Sequence, residues 1–308
     1  MNILNMAASA EKNDATLGYL TWFTVSDVAI TRESLQEKFK QAGVDLKHMP
    51  RKISPVDAFR RATTAVEKKR QEIHSEEGVV VNVLVRNVKS TREKVVRTVV
   101  VEKVSSTTET ITYKAGEAKL VYDKDVEDFV VESASKDPLV QAVIEEAELI
   151  FEHAKKHYNG RHLRDIVQSI LQTMSPIAVR PSGGVYFVPV CNEMELEALV
   201  RLLRLFGGGS EGWMIPLRNN DEGKDLVRAK LRDHLEAILR NMKEGLVNDK
   251  LDAWHAGELI DNAKRQLKSF SEYQQLLQEE MEDMGVVIQA IKGQIVAMVE
   301  KAAALASK

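Results

Sequence analysis

The side chains of this chain that can do chemistry fall into short constellations, and each has a plain structural reading beside the chemical one. His153 and His157 stand four apart in a stretch with helical spacing, and His162 follows soon after. Imidazoles one helical turn apart can share a metal ion. A zinc-protease motif would need glutamate directly after the first histidine, and Ala154 stands there, so structural or surface histidines are expected. Cys191 precedes a helix cap at Asn192, where a helix N-terminus can lower a thiol pKa. No base is signalled for it, and a small buried apolar side chain is the expectation. The run Gly207 to Gly212 is glycine-rich but lacks the Lys-Ser/Thr ending of a phosphate loop, and it reads as a connector. Pro181-Ser182-Gly183-Gly184 reads as a tight turn, without the strand–turn–helix context of a nucleophile elbow. Asp123, Asp125, Glu127 and Asp128 can attract a hard cation, but their spacing fits no known loop, and a solvated turn is expected. No catalytic residue, metal ligand or cofactor is assigned, and the balance is against an enzyme.

One constellation carries more charge. Residues 47–70 hold Lys47, Arg51, Lys52, Arg60, Arg61, Lys68, Lys69 and Arg70 against Asp57 and Glu67, an excess of six positive charges in a chain whose net charge is −3. Such a segment attracts nucleic-acid phosphates with strong salt dependence. Arg51, Lys52, Arg60, Arg61, Lys68, Lys69 and Arg70 are the candidate contacts. The alternatives are an acidic protein partner and a solvated helix face, since Arg60, Arg61 and Lys68 fall away from the stripe Phe59, Ala62, Val66 and Ile73.

These groups must be held by elements the sequence supplies. The chain has 308 residues, 44% hydrophobic, 29% charged and 6% aromatic. That is enough apolar material for a core of mostly aliphatic residues, and the length suits about two domains. A globally basic surface is excluded. One cysteine rules out an intramolecular disulfide and suits a reducing compartment. The N-terminal residues lack a secretory pattern and no stretch is apolar enough to span a membrane, so a cytoplasmic protein is expected.

Residues 1–15 are polar and read as a flexible N-terminus. Over 16–75 a strand (LGYLTWFTV) precedes two helices, one capped by Thr31 and stopped at Gly43, the other opened by Ser54-Pro55. Over 78–132, short β-branched runs separated by polar turns, one of them at Ala115-Gly116-Glu117, imply an antiparallel meander. Over 137–218 two helices precede a hairpin–helix–strand unit whose helix is capped by Asn192. The fold class is therefore α+β, with a mixed body over 16–218 and a helical region over 219–308.

A helix is expected over about 221–242. Beyond it, apolar residues recur at alternating steps of three and four from Ile260 to Leu305, with Gln274 as the one polar member. Six heptads meet the threshold for a coiled coil, and one helix of this length reaches about 70–90 Å. The seam residues Leu267, Phe270, Leu277, Met281, Met284, Ile288, Ile291, Ile295 and Met298 are the candidate interface. Two readings stand: the seam packs on helices of its own chain, or it pairs with another chain. Val286, Val287, Val296 and Val299 widen the apolar face beyond a two-stranded seam.

Two stretches, LGYLTWFTVSDVAITRESLQEKF…ISPVDAFRRAT (17–63) and VRPSGGVYFVP (179–189), resemble a family of uncharacterised bacterial and bacteriophage proteins, a domain of unknown function. The resemblance implies a bacterial or phage cytoplasmic context and transfers no catalytic residue. The functional expectation is a non-enzymatic interaction or assembly protein that self-associates or binds a protein partner through its C-terminal helix. The alternative is a nucleic-acid-binding accessory protein using residues 47–70.

Overall fold

The computed structural model describes residues 16–72, 78–180, 182–277 and 282–306. In chain order the first elements are β1 (Thr16–Thr24), β2 (Ile30–Thr31), α1 (Arg32–Ala42), α2 (Pro55–Ala65), β3 (Lys68–Glu72), β4 (Val79–Ser90), β5 (Lys94–Ser105), β6 (Thr110–Asp123) and β7 (Asp128–Ala134). There follow α3 (Pro138–Ala154), β8 (His157–Tyr158), α4 (Gly160–Gln172), β9 (Ile177–Ala178), β10 (Tyr186–Pro189) and α5 (Glu193–Phe206). β11 (Glu211–Arg218), α6 (Asp221–Val247), α7 (Ala253–Leu277) and α8 (Glu282–Ala306) complete the series. Helices and antiparallel sheets make the class α+β. Residues 1–15, Ile73 and Met281 lie outside the described residues.

The chain divides into two compact units along a line other than 218/219. Among the described residues, one, the helical unit, comprises 16–28, 36–49 and 160–306; the other, the meander unit, comprises 29–35 and 50–159.

In the meander unit, β3-β4-β5-β6-β7 form one antiparallel sheet in sequence order. Alternation sets its faces: Val81, Val83 and Val85 of β4, Val95, Val99 and Val101 of β5, and Leu120 and Tyr122 of β6 are buried on one side. α2 and α3 cover that side with Ala58, Phe59, Ala62, Val140, Val143, Ala147 and Phe151. Ser54 caps α2 by accepting from the Asp57 backbone N–H, with Pro55 at the first helical position.

Two expectations change here. β6 is one strand across Ala115-Gly116-Glu117, not two strands and a turn. The pairing slips between Val99 and Val100, and Gly116 takes φ +78°, so these residues form a bulge. α2 ends at Ala65, so Lys68 leaves the helix and joins β3, where Lys68, Gln71 and Glu72 pair with Val83, Val81 and Val80. The polar sequence KKRQE hid this strand, but charge suits an exposed sheet edge because it discourages pairing with another chain. Within this mostly aliphatic core, Phe59, Tyr122, Phe129 and Phe151 form a cluster with ring centroids 5.0 to 6.0 Å apart.

In the helical unit, the sheet order is β11-β1-β10-β9. β11 pairs with β1 along its length, Trp22 opposite Trp213, so the hairpin–helix–strand stretch encloses the first strand of the chain. Gly18 is required here: a Cβ on it would lie 2.2 Å from the Val188 carbonyl oxygen. Val200 and Leu203 of α5 cover Gly212 of β11. Asn192 does not cap α5 with its side chain; its Nδ2 donates to the Met174 carbonyl at 3.2 Å. α6, α7 and α8 bury their apolar stripes together with Leu17, Ile177 and Phe187.

Candidate functional site

The heptad seam does not lie on one long helix. α7 ends at Leu277, α8 begins at Glu282, and the two share a core. A Cβ on Gly245, near the end of α6, would meet Leu259 Cδ1 near the start of α7 at 2.7 Å and Met298 Cε near the end of α8 at 2.9 Å. So α7 runs antiparallel to α6, and α8 runs parallel to it. The Lys301 ammonium fixes that end by donating to the carbonyls of Gly245, Leu246 and Asn248 at 2.8 to 3.0 Å. A cation there satisfies orphan carbonyls and faces the negative end of the α6 dipole. Folding back corrects the expected span of 70–90 Å for a physical reason. Each arm buries its stripe within the chain, without the translational and rotational entropy that association costs.

Of the nine predicted interface residues, Phe270, Leu277, Met284, Ile288, Ile291 and Met298 are buried in this core, and Leu267 and Ile295 pack half-buried against it. Gln274 is exposed, and Tyr273 takes the inward position, 1% exposed, with its hydroxyl donating to the Ser175 carbonyl at 2.5 Å. The polar residue in the seam is thereby explained, because Tyr273, one residue earlier, fills the inward place at that turn while Phe270 and Leu277 keep the heptad positions.

What α8 leaves outside is also apolar. Val286, Val296 and Val299 are 76%, 61% and 45% exposed. From Met284 to Val299 the only charged residue is Lys292. Gly285 and Gly293 have no atom within 4 Å of where a Cβ would stand. A glycine inside a helix costs about 1 kcal/mol relative to alanine, and the packing of this chain gives no reason for either. Lys292 and Glu300 lie four residues to either side of Val296, both exposed and without an ion pair among the described residues. The sequence signal was present in the widened apolar face, but only the fold tells which side of α8 is left over.

The seven basic residues of the predicted nucleic-acid contact are spread over the stretch before α2, α2 itself and β3. Lys68 is paired with Glu146 at 2.5 Å. Lys69 and Arg70 sit on the edge strand, where the Arg70 backbone N–H donates to Asn82 Oδ1. Arg60 pairs with Asp57 at 3.4 Å. Arg61 donates to the Ala154 carbonyl, at the end of α3, while Arg51 and Lys52 are exposed beside Tyr158, whose hydroxyl donates to the Arg51 carbonyl.

The other constellations resolve as follows. His157 leaves the helix for β8, and its ring stacks on His153 at 4.0 Å. Cys191 is exposed, not buried as expected. Partial desolvation of its thiol, with the Glu272 carboxylate adding to it, pushes the pKa up, the opposite of what a nucleophile needs. Asp123 Oδ1 accepts from the backbone N–H groups of Asp125 and Val126, which makes the acidic cluster a turn. Gly207, Gly208 and Gly209 all take positive φ, which makes the connector glycine-dependent.

His234 of α6 is half-buried in the helical unit, with its ring nitrogen Nε2 enclosed. Burial holds its pKa below 6.5, opposed by a hydrogen bond with Gln266, and its Nε2 is buried without a partner among the described residues. The unfolded chain therefore binds the proton at higher pH than the folded one. Stability from this group is full above about pH 6.5 and falls as the pH drops through that value. Urea midpoints at pH 7.5 and pH 5.5 will differ less for His234→Asn than for the native chain.

Architecture and geometry define an α+β protein with three antiparallel sheets among the described residues, of four, two and five strands, the four-stranded one joined to a three-helix bundle. The chain belongs to a family of unknown function (DUF6744), whose profile matches residues 16–304 and so reaches both units. No curated protein and no solved structure matches it. Among the described residues no helix is long and apolar enough to cross a membrane.

Proposed function

We propose that the protein is a non-enzymatic assembly protein that pairs with a second copy of itself through the outward face of α8. The observation that carries this is the exposure of Val286, Val296 and Val299 on a helix with one charge in sixteen residues. Helices that are apolar all round belong in an interior or an interface.

A second copy is favoured because the face is self-complementary. In an antiparallel two-fold pair centred on Val296, Val296 meets its own copy and Lys292 of one chain faces Glu300 of the other. Val299 then faces Gly293, whose missing side chain lets the helices approach. A two-fold interface requires this reciprocity of i with j. The seam residues act indirectly in this reading, by holding α8 so that the second face points out.

Light scattering tests it. The native chain will run at twice its chain mass. Val296→Glu will run at the single mass with an unchanged circular dichroism spectrum. Lys292→Glu will weaken pairing, and adding Glu300→Lys will restore it, since exposed charges tune specificity more than affinity. A native chain that is monomeric across the concentrations tested rejects the proposal.

A further inference from the structure

A cleft of about 370 Å³ opens on the meander unit where the end of β2, the start of α1, the stretch before α2 and the residues just after α3 converge. Arg32, Lys52, Lys155 and Lys156 line it, with Glu33 as the single carboxylate and Tyr158 in the wall. That volume lies in the range of small-ligand sites, about 300–1,000 Å³.

Arg32 is held in place. Its Nη1 donates to the Pro50 carbonyl and to the Tyr158 hydroxyl, both at 2.7 Å, and Tyr158 is buried and donates onward to the Arg51 carbonyl at 2.9 Å. Its Nε and Nη2 make no hydrogen bond among the described residues. One edge of the guanidinium is therefore fixed and the other edge keeps a planar pair of donors, the geometry that reads two oxygens of a phosphate. Lys52 has no ion pair among the described residues. Lys155 and Lys156 share Glu152, the latter at 3.6 Å. Four cations against Glu33 within the cleft and Glu152 beside it leave an excess of positive charge.

We propose that this cleft binds a nucleotide, with Arg32 and the lysines on the phosphate and Glu33 accepting from a hydroxyl or amino group of the same ligand. Glu33 decides against a bare polyanion, which it repels, and for a phosphate ester that carries a hydrogen-bond donor. The nucleotide is either free or part of a nucleic-acid strand, since both present the same chemistry.

The test uses the full chain and fluorescence anisotropy. A fluorescent adenosine triphosphate analogue and a labelled short single-stranded oligonucleotide are the two probes, and inorganic phosphate is the competitor. At least one probe will bind, and which one binds assigns the source of the nucleotide. Lys52→Gln combined with Lys156→Gln will weaken binding at least tenfold and flatten its salt dependence. Both lysines are solvent-facing, so folding is preserved. Arg32→Lys will weaken it similarly although the charge is kept. Glu33→Gln will improve competition by inorganic phosphate. Binding of neither probe, equal binding by the lysine double variant, or phosphate competing as well as unlabelled nucleotide against the native chain overturns the proposal.

Discussion

Ile291→Glu is expected to unfold the helical bundle, while Val296→Glu, five residues further along the same helix, leaves it folded. Ile291 is fully buried among α6, α7 and α8. Its replacement loses about 2–3 kcal/mol of apolar burial. It also places a carboxylate among Leu, Met and Ile side chains, which costs several kcal/mol more when no partner is at hand. The total, on the order of 5 kcal/mol or more, matches the whole stability of a typical domain. Val296 is 61% exposed, and a surface change of this kind alters stability by about 0.5 kcal/mol or less. Circular dichroism and thermal melting read the difference directly. If the seam were an open surface for a partner, Ile291→Glu would give a well-folded chain, and the assignment of inner and outer faces on α8 would be wrong.

That contrast marks what the sequence can and cannot convey. The period of the seam is legible from Ile260 to Met298, because both arms of the helical pair bury the same heptad positions. Period alone does not distinguish one long helix from two that fold together, since each satisfies the same stripe. Gln274 was the visible clue. A polar residue in a continuous seam needs a special reason, and none is needed once Tyr273 takes the inward place beside it. In the meander, alternation made β4, β5 and most of β6 readable. Gly116 misled because a bulge and a turn use the same left-handed residue, and Lys68–Glu72 misled because an edge strand is stabilised by its neighbour and not by its own apolar pattern.

The candidate sites were less legible for a related reason. The basic excess over residues 47–70 is a property of the chain, but charge acts through space. The fold sends Lys68 to Glu146, leaves Lys69 and Arg70 on the sheet edge, and sets Lys52 beside Arg32, Lys155 and Lys156. Those four residues come from three distant stretches, and no local motif announces them. The outward face of α8 was half legible. The valines stood out, but the meaning of Lys292 and Glu300 depends on their symmetry about Val296, and that symmetry matters only once Val296 is known to face outward.

Phe151→Ala is expected to cost the meander unit about 3–5 kcal/mol, the range for truncating a buried phenylalanine. Its ring meets Tyr122 at 6.0 Å and Phe129 at 5.7 Å, both near edge-to-face, and Phe129 meets Phe59 at 5.0 Å. Edge-to-face pairs add about 0.5–1.5 kcal/mol each beyond the area they bury. Removing the central ring leaves a cavity between α3 and the sheet that rigid strands cannot close. Phe151→Leu keeps most of the volume and will cost about 1–2 kcal/mol. Trp22, Trp213 and Trp254 all lie in the helical unit, so tryptophan fluorescence does not report on this loss directly. Amide hydrogen exchange along β4, β5 and β6 does, and it will quicken by two to three orders of magnitude, since each 1.4 kcal/mol is tenfold. The Lys155 ammonium sits 5.0 Å from the centre of the same ring. Loss of that contact frees Lys155, so Phe151→Ala will also weaken nucleotide binding in the cleft, while Phe151→Leu separates the packing term from the cation–ring contact. Exchange rates within tenfold of native in the alanine variant would mean that the aromatic cluster is not the centre of this core.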